Sequence, residues 1–406
     1  MNQLNYWLWL TTRKGLGEGA LPVLRQFGGP EAAYYAQPRD YDLIPGLRPE
    51  GRQSLLDKSM EEAEAILADC DRLGVDILTL PDSGYPERLR NIEDPPPVLY
   101  VKGRMPRVDD ELTVALAGTR RCTPYGRQQA GALSFQITRL GGLVATGVVE
   151  GCDWAAATAA LKAGGPLICV LAGGVDVLYH ATEEYRHLYA DVARAGALVS
   201  EYPPGARHLG PQFLRRNRIL TGLSLGVVCV EGGQGSGTLK VADLALSQNR
   251  DVFAVPANVD VTAAAGTNRL LKEGAVPVFS GADVVDYYRA LFPVLPRARE
   301  PLSPAAQAQR LAAEQPEPKP PEAEKPVDKM EKSVYITLQE HQEAYTDDEQ
   351  AVLLALREGA LSADELIDRT QLPSRRVSQT LTLLELRELV RREGQRYRAC
   401  VILVTE

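Results

Sequence analysis

Gln212–Thr238, QFLRRNRILTGLSLGVVCVEGGQGSGT, contains a helix, a strand and the turn into the next helix, and decides the fold. A cluster of four hydrogen-bonding side chains, Arg215, Arg216, Asn217 and Arg218, leads into an apolar helical stretch. The β-branched run GVVCV follows, then a glycine-rich turn, then the helical text LKVADLAL. Short apolar runs of the same kind recur on both sides: Leu112–Gly118, Gly141–Gly147, Pro166–Gly174, Ala197–Glu201, Ser224–Gly233 and Asp251–Asn258. Nearly continuous apolar strands separated by helix-length segments predict a parallel sheet covered on both faces. The fold class expected is therefore α/β, a Rossmann-like doubly wound sheet over residues 111–294.

Outward from that core the text changes character. Residues 1–80 read as short helices broken by glycine turns, as in GLGEGALPVLRQF and IPGLRPEGRQSLLD, which predicts a helical module of the sterile-alpha-motif or helix-hairpin-helix kind. Such turns suit either phosphate contact through backbone amides or protein–protein contact. Residues 81–110 form a connector in which Pro95, Pro96 and Pro97 forbid a helix and pass into VLYV, taken as the first strand. Residues 295–345, rich in Pro, Glu, Ala and Lys, read as a disordered linker. Three helical stretches and a charged ribbon turning at Gly394 make 346–406 a winged-helix domain.

Composition removes several classes of function. The 406 residues carry a net charge of −8, so any nucleic-acid site must be a local basic patch. Six scattered cysteines without a CxxC pair and four histidines without metal-ligand spacing predict no metal and no disulfide frame. No stretch of 18 apolar residues and no basic leader precede the core, so a cytoplasmic chain with no membrane partner is expected.

Ligands of open α/β sheets bind beyond the carboxyl ends of the strands. Four loops there carry polar text. Gly118, Thr119, Arg120 and Arg121 offer amides, a hydroxyl and guanidinium forks to an anion. Gly147 and Gly151 permit close approach, and Asp153 reads as a helix cap. Phe213, Arg216, Asn217 and Arg218 form the third candidate set, suited to phosphate or to a structural ion-pair cluster. Ser236, Gly237 and Lys240 at the glycine-rich turn form the fourth, a phosphate cradle at a helix N-terminus. No GxGxxG or GxxxxGK[ST] occurs, so no nucleotide cofactor is expected.

These motifs together resemble the DNA-processing protein A (Smf) family. The resemblance runs from about Tyr85 to Ala275: Tyr85-Pro86, DPPPVLYVKG, AGTR, TGVVEGCD, SEYPPG, FLRRNRILTGLS, VEGGQGSGTL, VFAVPAN and GTNRLLKEGA. It implies a non-catalytic protein that binds single-stranded DNA in a positive pocket. Such a protein protects incoming or damaged strands and helps load a RecA-type recombinase in natural transformation and recombination. It also implies a homodimer through the Rossmann-like domain. By position the pocket residues are Gly118, Thr119, Arg120, Phe213, Arg216, Asn217, Arg218, Ser236, Gly237 and Lys240. Departures fall at Ala157, where the family has a histidine, and at His180, Leu214, Val241 and Ala257.

Two rival functions remain in view. The GGQGSGT turn is also similar to the phosphate loop of lysine-decarboxylase-like nucleotide phosphoribohydrolases, but Lys240 stands where those enzymes need a carboxylate. Alternatively the winged helix is the reader of duplex DNA, through Arg375, Arg376 and Gln379 on its recognition helix and Arg392 and Arg396 in the wing. Contact with a protein partner is the other use of that surface. On the core site, bases are expected to stack on Phe213 while Arg216, Arg218, Arg120 and Lys240 neutralise successive phosphates.

Overall fold

The structure, a computed structural model, describes residues 3–16, 19–295, 299–312, 334–337, 346–356, 361–386, 389–393, 396–399 and 401–404. The chain divides into two compact units, Met1–Pro316 and Glu317–Glu406.

The first unit opens with helices α1 (Gln3–Thr12), α2 (Leu21–Phe27), α3 (Pro30–Tyr35), α4 (Pro49–Leu56) and α5 (Glu61–Leu73). Gly28, at φ 75°, closes α2 with its N–H on the Leu24 carbonyl, the left-handed stop that lets the chain turn into Pro30. Strand β1 (Val75–Thr79), helix α6 (Glu87–Arg90) and strand β2 (Val98–Gly103) follow. Val98–Gly103 is thus the second strand, not the first. The first lies inside the region assigned to the helical module, because polar Asp76 in VDILT masked an edge strand that pairs antiparallel with β2.

The remaining order is β3 (Thr113–Ala117), α7 (Pro124–Arg139), β4 (Leu143–Thr146), α8 (Cys152–Lys162), β5 (Leu167–Val170), α9 (Glu183–Ala195), β6 (Ala197–Ser200), α10 (Gly210–Gly222) and β7 (Gly226–Cys229). It continues with α11 (Gly237–Ser247), β8 (Asp251–Ala254), α12 (Ala265–Lys272), β9 (Val276–Pro277), α13 (Gly281–Tyr287) and α14 (Pro304–Ala312).

All nine strands join one sheet in the order β1-β2-β6-β5-β4-β3-β7-β8-β9. The seven from β6 to β9 are parallel, and β2 joins β6 antiparallel. Strands β3, β4, β5 and β7 are buried along their whole length, which is why they read as unbroken apolar runs. One face packs against α7, α8, α9 and α13, and its core continues into Trp9, Tyr41 and Leu55 of the N-terminal helices. The other face packs against α10, α11 and α12 through Ile219, Leu220, Val241 and Leu270. The chain leaves β3 toward β4 on one side and returns from β6 to place β7 on the other. The switch point of the sheet therefore lies between β3 and β7.

The segment assigned to a linker is ordered at its start. Arg299 and Leu302 donate backbone N–H groups to the carbonyls of Arg139 and Lys162, and Arg310 on α14 is ion-paired to Asp191 on α9. The proline-rich text on both sides of PAAQAQRLA hides this helix in the sequence. Residues 313–333 and 338–345 lie outside the described residues, as does the wing turn at Gly394.

The second unit is a winged helix. Its described elements are β10 (Val334–Thr337), α15 (Asp347–Ala355), β11 (Leu361–Ser362), α16 (Ala363–Thr370), α17 (Ser374–Leu386), β12 (Val390–Glu393), β13 (Arg396–Ala399) and β14 (Val401–Val404). Thr346 with Glu349, and Ser362 with Glu365, form capping boxes that start α15 and α16. Val352, Leu356, Leu366, Val377, Leu381 and Leu384 build a core of its own. No described helix is long and apolar enough to cross a membrane.

Candidate nucleic-acid interface

Beyond the carboxyl ends of β3 and β7, at the switch point, lies a cleft of about 430 Å³. Its three sides are the loop after β3 (Gly118–Arg121), the first turns of α10 (Phe213–Asn217) and the start of α11 (Ser236–Thr238). Asp153 on α8 reaches it from below.

The loops are fastened to one another by buried polar bonds. The Glu231 carboxylate, 1% exposed, accepts from the Thr123 N–H at 2.7 Å and the Thr123 hydroxyl at 2.6 Å. The Glu231 carbonyl accepts from the Thr119 N–H at 2.8 Å. A Cβ on Gly151, at φ 88°, would stand 2.4 Å from the carbonyl oxygens of Thr119 and Arg120, so only glycine allows α8 to start here. Glu231, with its buried carboxylate on Thr123 and its carbonyl on Thr119, ties the loop after β7 to the loop after β3 and makes the cleft a preformed site.

Arg216 forms the floor. It is 4% exposed, and its Nη2 stands 3.8 Å from Asp153 Oδ2, too far for a hydrogen bond. Its Nε is buried without a partner, and so is the hydroxyl oxygen of Ser236 across the cleft. A buried guanidinium left under-bonded is costly, and an anion entering from the cleft would satisfy it. Burial pushes the Asp153 carboxyl up to about 6, against the pull of Arg216, Arg120 and the N–H groups of Gly118 and Gly147. Burial likewise lowers the pKa of Arg216, with Asp153 opposing. Asp153 is therefore not a helix cap. Gly151 occupies the N-cap position of α8, and the Asp153 side chain turns inward to Arg216.

The expected residues do not all converge. Gly118, Thr119, Arg120, Phe213, Arg216, Asn217, Ser236 and Gly237 line the cleft. Arg218 does not. It bonds Asp94 through Nε at 2.8 Å and Glu201 through Nη2 at 2.7 Å, a structural pairing on the other side of α10. The helical period of 100° per residue turns Arg218 well away from Arg216. Lys240 is exposed on α11 outside the lining. Arg121, read only as a member of the first loop's anion site, lines the cleft in their stead and has no ion pair among the described residues.

Phe213 is also less free than a stacking platform. The Arg120 guanidinium lies over its ring at 4.4 Å from the centroid and donates to the Tyr179 hydroxyl at 3.2 Å. Tyr179 meets Phe213 edge-on at 5.7 Å, and His208, Tyr185, His180 and Trp154 extend the same aromatic rim. These rings come from four separated segments, so the rim had no signature in the sequence beyond individual aromatics.

In the winged helix, Arg376 is held by Asp348 and Arg396 by Glu365. Arg375 and Gln379 are exposed on α17, and Arg392 lies on β12.

A family model described as DNA recombination-mediator protein A matches residues 76–289, and one described as DprA winged helix domain matches 312–395. The DNA processing protein DprA of Bacillus subtilis is 36% identical over 221 residues, 54% of this chain and 74% of that protein. Protein Smf of Synechocystis is 31% identical over 300 residues, 73% of this chain and 75% of that one. The X-ray structure of DNA processing protein A from Streptococcus pneumoniae superposes with a TM-score of 0.59 at 29% identity, covering 70% of this chain and 98% of that chain.

Proposed function

The chain belongs to the DNA recombination-mediator protein A family, and from that premise we propose that its switch-point cleft binds single-stranded DNA. The observation that carries this reading is the buried, under-bonded Arg216 facing an under-bonded Ser236 across a preformed cleft. A strand phosphate supplies the missing acceptor to Arg216, with Arg121 and the first amides of α11 completing its shell. Arg120, held between Phe213 and Tyr179, presents a flat cationic and aromatic wall along which bases can lie without sequence preference.

The cellular role proposed is that of the family resemblance: covering incoming or damaged strands and passing them to a RecA-type recombinase during transformation and recombination, as a cytoplasmic homodimer. No catalytic step is assigned, and no cofactor is needed for this chemistry.

The test is fluorescence anisotropy with a short labelled oligothymidylate at two salt concentrations. Arg216→Ala should weaken binding by about 10- to 100-fold, the worth of a charge-assisted contact of roughly 1.5–3 kcal/mol. The parent's log-log salt slope should be about −2 if three phosphates are neutralised. Unchanged affinity in a folded Arg216→Ala protein would move the site out of the cleft.

A further inference from the structure

Asp153 has no role in a cleft that simply attracts phosphate, yet a carboxylate sits at its floor. It is 7% exposed, on the first turn of α8, and is directed at the guanidinium proposed to take the phosphate. Resting on that single-strand reading, we infer that Asp153 is an internal counter-anion. It neutralises Arg216 when no strand is bound, and it gives way by taking up a proton when a phosphate arrives.

The geometry supports exchange rather than a permanent bridge. A structural ion pair would show direct hydrogen bonds, as Arg218 does with Glu201 at 2.7 Å, but Arg216 and Asp153 stay 3.8 Å apart. The carboxylate is steadied instead by the N–H groups of Gly118 and Gly147. A Cβ on Gly147 would lie 2.2 Å from Asp153 Oδ2 and 2.8 Å from Arg216 Nη2, so the bare glycine backbone makes room for the pair. The guanidinium thus keeps an unused Nε while its charge is balanced from behind.

The groups facing the pair come from every element around it. Arg120 approaches from the loop after β3, Cys152 from α8 and Cys169 from β5. Tyr185 and Tyr189 contribute from α9, and His208 lies beyond Arg216 before α10. Burial raises every one of these thiols and phenols and lowers the pKa of His208. Asp153, already at about 6, is the member of this set whose proton affinity a second anion brings into the neutral range.

Asp153 and a phosphate brought against the same Arg216 in a poorly solvated site repel, with Arg120 and Arg121 offsetting only part of that, and protonation of the carboxylate relieves the repulsion. The bound-state pKa of Asp153 then exceeds its free value, so binding consumes a proton between the two. The sign follows by linkage. Affinity is greatest well below pH 6, where Asp153 is neutral in both states, and falls as pH rises from the free value of about 6 to the bound-state pKa. A rise of one unit corresponds to about a tenfold loss of affinity across that window.

Two measurements on the full-length chain decide the matter. Calorimetric titration of the parent with oligothymidylate near pH 7, in two buffers of different ionisation enthalpy, should show net uptake of part of a proton per site. Anisotropy titrations of Asp153→Asn should show affinity flat within about twofold from about pH 8 to about pH 6. At the upper end the variant should also bind more tightly than the parent. Zero proton uptake by a parent that binds the strand overturns the inference, and this readout does not depend on the variant folding. An Asp153→Asn protein that keeps the parental pH slope overturns it as well, since the proton is then taken up elsewhere. Failure of the parent to bind at any pH is a different result: it defeats the single-strand reading itself, which the Arg216→Ala comparison probes separately.

Discussion

Arg216 and Arg218 stand two residues apart on the same helix and are both buried, yet they face opposite chemistry. Arg216 lines the cleft with no direct hydrogen bond to its nearest carboxylate, 3.8 Å away, and its buried Nε has no partner, as is also true of the Nη1 of Arg218. Arg218 looks into a notch where Asp94 and Glu201 both bond it directly. The first side of α10 leaves a cation available to a ligand, while the second consumes one to close the fold. A run of basic residues in an acidic protein is therefore not one patch: helical geometry divides it between binding and structure.

The largest effect that could break this comparison is on stability. Arg218→Ala leaves Glu201, whose side chain is 9% exposed, without its closest counter-charge, with only Arg215 still beside Glu201 at 3.3 Å and Asp94 at 3.8 Å. Removing one partner of such a buried pair costs about 3 kcal/mol. Urea denaturation should show that loss, while single-strand affinity of the folded protein changes by less than about threefold. The reverse pattern, full stability with lost binding, would place Arg218 on the strand and merge the two sides.

A smaller effect sharpens the cleft side. Gly147→Ala inserts a methyl group between Asp153 and Arg216 where each is already within 3 Å of the added atom. Overpacking of this kind costs about 1–3 kcal/mol. Because both neighbours are side chains lining the cleft, the cost should divide between stability and a strand affinity lowered by about tenfold. Thermal denaturation beside anisotropy separates the two. An unaltered affinity would mean that the strand does not reach the floor of the cleft.

The sequence was informative wherever a structural role is written in local periodicity. The six apolar runs are strands β3 to β8, and the GGQGSGT turn does open α11 beside the β3 loop. Legibility ended where partners are distant in the chain. Nothing near RRNR names Asp94 or Glu201, which lie 124 and 17 residues away from Arg218. Asp153 after a glycine is a plausible cap by local rules, and only the tertiary approach of α10 makes it a buried counter-ion. Strand β1 was missed because an edge strand needs less apolar text than a central one. The aromatic rim depended on Tyr179, His208 and Phe213 meeting from different loops.

The same distinction between committed and available cations applies to the winged helix, and there it predicts the smallest effect. On α17, Arg376 is clamped by both oxygens of Asp348 at 2.6 Å and 2.5 Å, and Arg396 of the wing reaches Glu365 at 3.3 Å. Of the expected readers on α17, that leaves exposed Arg375 and Gln379, with one positive charge between them. A single solvent-exposed phosphate contact changes the log-log salt slope by about one unit or less. Arg375→Ala in the full chain should accordingly lower affinity for a single strand by about threefold at most and leave the proton uptake of the cleft untouched. If it instead matched Arg216→Ala in anisotropy, the winged helix would carry binding of its own, and the contrast between the two sides of α10 would cease to account for where the strand is held.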